Sequence, residues 1–103
     1  MRRRLVEYSL RSEDDAAWML ETVAAAAGLH AALSYLTRLR DFCDRLKYGA
    51  ERGSRYDHIR PGLRIVGFER RVTVAFTVDD ERVTILRLFY GGRDWKHEFE
   101  AAP

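Results

Sequence analysis

A single cysteine, Cys43, stands in 103 residues, so the chain forms no internal disulfide and builds no cysteine-based zinc site. Long apolar runs are missing as well. The longest, Val23 to Leu29, is broken by Gly28 and falls far short of the roughly 20 residues of a membrane span. Charged Glu7 and Arg11 follow the basic start Arg2 to Arg4 before any signal-peptide apolar stretch develops, so the expected location is the cytoplasm, without a membrane partner. Lysine is almost absent, with only Lys47 and Lys96. The three histidines, His30, His58 and His97, fall on different predicted elements without ligand-like spacing, so neither a metal nor another cofactor is expected. No glycine-rich phosphate loop, nucleophile elbow or paired-carboxylate pattern appears.

What is present is a balanced globular composition. Apolar residues make up 47%, enough for a core, and charged residues 33%, above the ~25% usual in globular proteins. Disorder is excluded on that basis, and the length predicts a single domain spanning residues 1–103. The net charge is +2, but it is unevenly placed: residues 38–71 hold ten basic and five acidic side chains. Nearly all the basic residues are arginine, which favours bidentate contact with carboxylate or phosphate.

The periodicity predicts an α+β fold. Arg4 to Ser9 reads as a first strand. Ser12, followed by Glu13, Asp14 and Asp15, reads as a cap with carboxylates in the first turn, predicting a helix from Glu13 to about Ala27 with Gly28 closing it. A second helix carries the stripe Ala32, Tyr35, Leu36, Leu39, Phe42, Cys43 and Leu46 and ends at Gly49. The short link makes the two an antiparallel hairpin. Ala50 to Gly62 reads as a basic loop. Leu63 to Phe68, Val72 to Val78 and Val83 to Tyr90 then alternate with period two across short turns, which predicts a three-stranded antiparallel meander. The expectation is thus an antiparallel sheet, β-α-α-β-β-β, with the hairpin packed on one face. The other face, bearing Thr73, Ala75 and Thr77, is expected to be available.

The one constellation that could carry chemistry is arginine: Arg52, Arg55, Arg60, Arg64, Arg70 and Arg71, then Arg87 and Arg93. Alternation places Arg87 with Ile85 and Phe89, opposite Thr84, Leu86, Leu88 and Tyr90. A partly buried Arg87 needs a carboxylate, for which Asp57 and Asp94 are the candidates. Cys43 lies in the apolar stripe and reads as inert packing. Trp18 reads either as a surface contact or as filler of the hairpin interface. Trp95 and Phe99, in the tail, are expected to fold back onto the core.

Two segments resemble a known family. Arg55-Tyr56-Asp57-His58-Ile59-Arg60-Pro61-Gly62-Leu63-Arg64 is similar to an Ile-Arg-Pro-Gly-Leu-Arg segment of ParE-like toxins from bacterial toxin–antitoxin modules, and Leu86 to Asp94 resembles their closing strand and its Gly-x-x-Asp ending. The resemblance implies a RelE/ParE-type fold and a toxin neutralised by a ParD-like antitoxin, which alone would bring it to operator DNA. It implies inhibition of DNA gyrase, with no catalytic residue. The alternatives are a ribosome-dependent messenger RNA endoribonuclease of the RelE type, using Arg60, Arg64, Arg87 and Tyr90, or a decayed toxin acting only in an autoregulatory complex. Tyr90, where the ParE pattern usually has His, leans toward the nuclease; the missing lysine-rich surface of the RelE branch leans against it. The residues expected to meet the target are Arg60, Arg64, Arg87, Tyr90, Arg93 and Trp95. Those expected to meet the antitoxin are Trp18, Tyr35, Arg38, Phe42 and Arg55 on the apolar hairpin surface and its arginine rim.

Overall fold

The computed structural model describes residues 4–92 and 94–100. Strand β1 (Leu5–Tyr8) leads into helices α1 (Leu10–Ala27) and α2 (Leu29–Asp44), which a 3-10 turn (Arg45–Lys47) extends. Strands β2 (Ser54–Arg55), β3 (Arg64–Phe68), β4 (Val72–Val78) and β5 (Arg82–Tyr90) follow, then a short helix α3 (Trp95–Glu100). The five strands lie in the order β1-β5-β4-β3-β2. β3, β4 and β5 pair antiparallel, as their short turns require, and β2 adds antiparallel to β3. β1 pairs parallel with β5, Leu5 opposite Arg82 and Tyr8 opposite Ile85, so the sheet is mixed where a wholly antiparallel one was expected. Nothing local in a four-residue strand fixes its direction against a partner more than seventy residues on; the hairpin that separates them does, by supplying the crossover a parallel pair needs.

Helix α1 begins earlier than the acidic run suggested. Its cap is Ser9, whose hydroxyl accepts the Ser12 N–H at 3.0 Å and donates to the Leu86 carbonyl at 2.8 Å. Ser12 is fully buried one turn inside, its own hydroxyl donating to the Ser9 carbonyl at 2.8 Å. One side chain therefore satisfies a free helix N–H and ties the helix to the last strand. Gly28, at φ +96°, closes α1 through its N–H to the Ala24 carbonyl and opens α2.

The stripes meet as their spacing requires. Ala16 and Met19 of α1 and Tyr35, Leu39 and Cys43 of α2 pack on Val72, Val74, Phe76, Val83, Ile85 and Leu88. Phe76, Leu39 and Leu46 are fully buried, and each such side chain contributes about 1.5–3 kcal/mol relative to exposure. The opposite sheet face is also covered, contrary to the expectation of an available surface. Leu63, Ala75 and Phe89 form a second core under Tyr56 and Ile59 of the loop and Trp95 and Phe99 of α3. The tail does fold back, as expected from its alternating aromatics.

A bulge in β5 sets which residues reach which core. Phe76 faces Ile85, but the next pair is Ala75 with Arg87, leaving Leu86 as the extra residue. Strict alternation fails there: Ile85 lies in the helix-side core, whereas Arg87 shares its face with Ala75 and Phe89, and Leu88 returns to the helix side. Because β1 ends at Tyr8, the edge of β5 beyond the bulge has no strand beside it. The first turns of α1 cover it instead, with Ser9 on Ile85 and Leu86 and with Asp15 accepting the Leu88 N–H at 2.9 Å.

Candidate interaction surfaces

Three concavities hold the arginines and tyrosines singled out from the sequence, and they lie apart. The largest, about 550 Å³, is a groove between α1, α2 and the β3–β4 turn. Ala26, Ala27 and Ala31 line it with small side chains, and Tyr35, Tyr90, Arg38 and Arg71 supply its polar rim. Its aromatic flank is continuous: Trp18 meets Tyr90 edge-on at 6.3 Å, Tyr90 meets Tyr35 at 6.3 Å, and Phe68 bridges Tyr35 at 5.7 Å to Phe42 at 5.1 Å. Arg38 lies 5.2 Å over the Tyr35 ring and donates twice to Glu69, at 3.0 and 3.1 Å. That bidentate pair lowers the Glu69 pKa from the usual carboxylate range. It also anchors a turn in which Glu69 and Arg70 both adopt positive φ, 48° and 59°. The Tyr35 hydroxyl is buried without a hydrogen-bond partner among the described residues; desolvation first, then nearby Glu69, raises its pKa.

The second cleft, about 230 Å³, opens along the β5 edge between the start of α1 and α3. Arg11, Arg60 and Arg87 line it with Glu98 and Phe99. Arg87 is held from behind by Asp15, to which its Nε and Nη2 donate at 2.7 and 3.0 Å. Both side chains are about nine-tenths buried, 10% and 9% exposed. These hydrogen bonds raise the arginine's already high pKa. The expected partners of Arg87 are engaged elsewhere, which corrects the sequence reading. Asp57 pairs with Arg55 at 3.0 Å and accepts the Gly62 N–H at 2.9 Å, and Asp94 accepts the His97 N–H at the start of α3. Asp15 escaped notice because it sits 72 residues away and reads locally as a first-turn carboxylate of α1.

The third concavity, at the opposite end of β3, gathers Arg4, Arg55 and Arg64 with Glu51, Asp79 and Asp80. Arg4 donates to the Asp79 carbonyl at 2.7 Å and lies 3.6 Å from Glu51. Backbone N–H groups of Glu81 and Arg82 hold the Asp79 carboxyl below its usual range.

The residues proposed for RNA cleavage are therefore divided among all three sites: Arg60 and Arg87 in the second, Arg64 in the third, Tyr90 in the first. Tyr90, expected to meet the target, instead shares an aromatic surface with Trp18, Tyr35, Arg38 and Phe42, expected to meet the antitoxin. Arg55 lies away from that surface, beside Arg64. Trp95 is partly buried against Tyr56, ring centres 4.8 Å apart. Arg93 lies outside the described residues. Arg11, Glu69 and Glu98 were not among the expected site residues, since none of them stands in a recognisable motif; only the fold brings them to these surfaces. Among the described residues, no cluster of His, Cys, Asp and Glu could hold a metal ion, and no helix is long and apolar enough to cross a membrane.

A family model described as ParE toxin of type II toxin-antitoxin system, parDE, matches residues 6–95. A chain of the solved structure "Chromosomal ParDE TA system from P. aeruginosa" superimposes with a TM-score of 0.74 at 19% identity, covering 86% of this chain and 97% of that one. At this identity the likeness is one of fold. No curated protein matches the sequence.

Proposed function

The chain belongs to the ParE toxin family of type II toxin–antitoxin systems, and from that premise we propose that it arrests growth by inhibiting DNA gyrase without catalysing a reaction, until a ParD-like antitoxin binds it. The observation that carries the noncatalytic reading is the dispersal of the would-be nuclease residues over three separate concavities. RNA cleavage needs a base, a cation and an acid within reach of one phosphate. Here the Tyr90 hydroxyl belongs to the hairpin groove, while Arg87 is fixed by Asp15 on the β5 edge.

The antitoxin reading rests on the groove. Its alanine floor, its aromatic flank from Trp18 to Phe42 and its Arg38 and Arg71 rim suit an amphipathic, acidic segment laid along the hairpin. Trp18, 48% exposed, and Leu33, 47% exposed, extend the apolar surface. Operator DNA would be reached through the antitoxin alone.

The test is made in bacterial cells expressing the chain. The expected result is growth arrest with loss of plasmid supercoiling, messenger RNA intact by primer extension, and rescue by a co-expressed ParD-like antitoxin. Discrete messenger RNA cuts that vanish in Tyr90→Phe would establish the nuclease instead.

A further inference from the structure

The groove between α1, α2 and the β3–β4 turn holds a polar group that the fold leaves unused. Tyr35 lines this groove and is nine-tenths buried, and its hydroxyl has no hydrogen-bond partner among the described residues. Buried polar atoms are nearly always paired, so such an orphan calls for a partner from outside the chain's own bonds. The groups that act electrostatically on the hydroxyl are Glu69, Tyr90, Arg71 and Arg38, and all of them line the same groove. Two of these are spent on each other, because Arg38 donates through Nε and Nη2 to both carboxylate oxygens of Glu69. Arg71, two residues beyond Glu69, is exposed and forms no ion pair among the described residues.

We infer that Tyr35 and Arg71 form a carboxylate subsite within the antitoxin groove, taking one aspartate or glutamate side chain of the docked segment. The inference rests on the antitoxin reading of this groove and adds the residue type that must sit at one position of the partner. A carboxylate accepts from the phenolic O–H and from a guanidinium at once, giving the orphaned donor a charged acceptor. A partner hydroxyl or amide would satisfy Tyr35 but leave the charge of Arg71 unmatched, and a partner lysine or arginine would meet Arg71 with Glu69 already committed to Arg38. The strained turn fits this division of charge. Glu69 and Arg70 stand at φ 48° and 59°, which residues other than glycine adopt at a cost. The turn sets Glu69 on Arg38 rather than on Arg71, so its negative charge is compensated before an incoming carboxylate arrives, and Arg71 stays open. The hydroxyl is shut off from solvent in the free chain; a side-chain rotation at the exposed rim, of the kind common at interfaces, opens it as the segment docks.

The test uses the full chain and, as probe, the full-length ParD-like antitoxin that rescues growth, with affinity measured by titration calorimetry. Tyr35→Phe removes only the oxygen. Because that hydroxyl is unpaired in the free chain, the urea midpoint of Tyr35→Phe should equal or exceed the parent's. Its affinity for the antitoxin should nevertheless fall about tenfold, the low end for a hydrogen bond to a charged group. Arg71→Gln, at an exposed position, should weaken binding about threefold, and Arg45→Gln, exposed in the 3-10 turn beyond α2, should leave it unchanged. Each Asp and Glu of the antitoxin is then changed in turn to Asn or Gln. One of these changes should cost about tenfold against the parent chain and nothing further against Tyr35→Phe, the signature of two groups in contact. Parent-like binding by Tyr35→Phe or by Arg71→Gln, or an antitoxin with no carboxylate coupled to Tyr35, would overturn the subsite and leave the groove as the antitoxin's seat. A Tyr35→Phe chain that unfolds more easily than the parent would show the hydroxyl already satisfied, and would overturn it as well. Absence of binding by the parent chain itself would overturn the antitoxin reading and the subsite together.

Discussion

Replacing Asp15 by alanine removes the carboxylate that hydrogen-bonds the buried Arg87 guanidinium. Asp15 accepts from Arg87 at 2.7 and 3.0 Å and from the Leu88 N–H at 2.9 Å, on the stretch of β5 that has no neighbouring strand. Without it, the nearest charge of opposite sign to Arg87 is Glu98 at 3.8 Å. Breaking one side of a buried ion pair costs about 3–5 kcal/mol, and the orphaned Leu88 N–H adds to the penalty. Partial relaxation of Arg87 toward Glu98 offsets some of it, so a loss of about 3–4 kcal/mol is expected, a large share of the roughly 5–15 kcal/mol that holds a domain of this size. In urea denaturation the midpoint should fall by about 1.5–2 M at an unchanged slope near 2 kcal/mol/M. Asp15→Asn, which keeps an acceptor for Leu88, should lose less. The paired change Asp15→Leu with Arg87→Met, which leaves no unpaired charge, should recover most of the deficit. A loss below about 1 kcal/mol in Asp15→Ala, or a double variant no better than the single, would refute the reasoning.

Three further outcomes follow from the packing and electrostatics. Gly53→Ala places a Cβ 2.2 Å from the Ile65 carbonyl oxygen at φ +77°, so the β2–β3 pairing should separate and thermal unfolding should move down by several degrees, about 2 kcal/mol or more. Burial pushes the Cys43 thiol up to about 11; a thiol-reactive chromophore at pH 8 should leave it untouched in the folded chain and label it only as urea unfolds the protein. The Asp79 pKa is held below its unfolded value by the N–H groups of Glu81 and Arg82. Its stabilisation is therefore full above the unfolded value of about 3.9 and is lost as pH falls through the lower folded value. Asp79→Asn should lower the urea midpoint at pH 7, with the gap to the parent closing as the pH falls below the unfolded carboxylate range and Asp79 protonates.

How much of this was legible in the sequence depends on the range of the interaction. The hairpin and the meander were written in local periods, three-and-four for Ala32 through Leu46 and two for Val72 through Val78, and those residues form the core. The helix start was misjudged because three acidic residues after Ser12 imitate a cap, whereas Ser9 takes that role through a bond to Leu86 that only the assembled sheet provides. The bulge at Leu86 likewise leaves no local mark, yet it brings Leu88 onto the face of Ile85, where strict alternation would oppose them, and turns Arg87 toward Asp15. The parallel β1–β5 pair and the arginine cleft closed by Glu98 share this character. Each joins segments distant in the chain, so residue type and spacing carry no trace of it. The aromatic chain along the hairpin groove lies between these extremes: Tyr35 and Phe42 were identifiable by spacing, but the inclusion of Tyr90 was not.

The noncatalytic toxin reading meets its most direct test with purified components: relaxed plasmid, DNA gyrase, ATP and increasing amounts of the chain. Supercoiling should be lost as the chain approaches stoichiometry with gyrase, lost equally with Tyr90→Phe, and restored on adding a ParD-like antitoxin. Undiminished supercoiling at large excess, from a preparation that arrests growth when expressed, would contradict it.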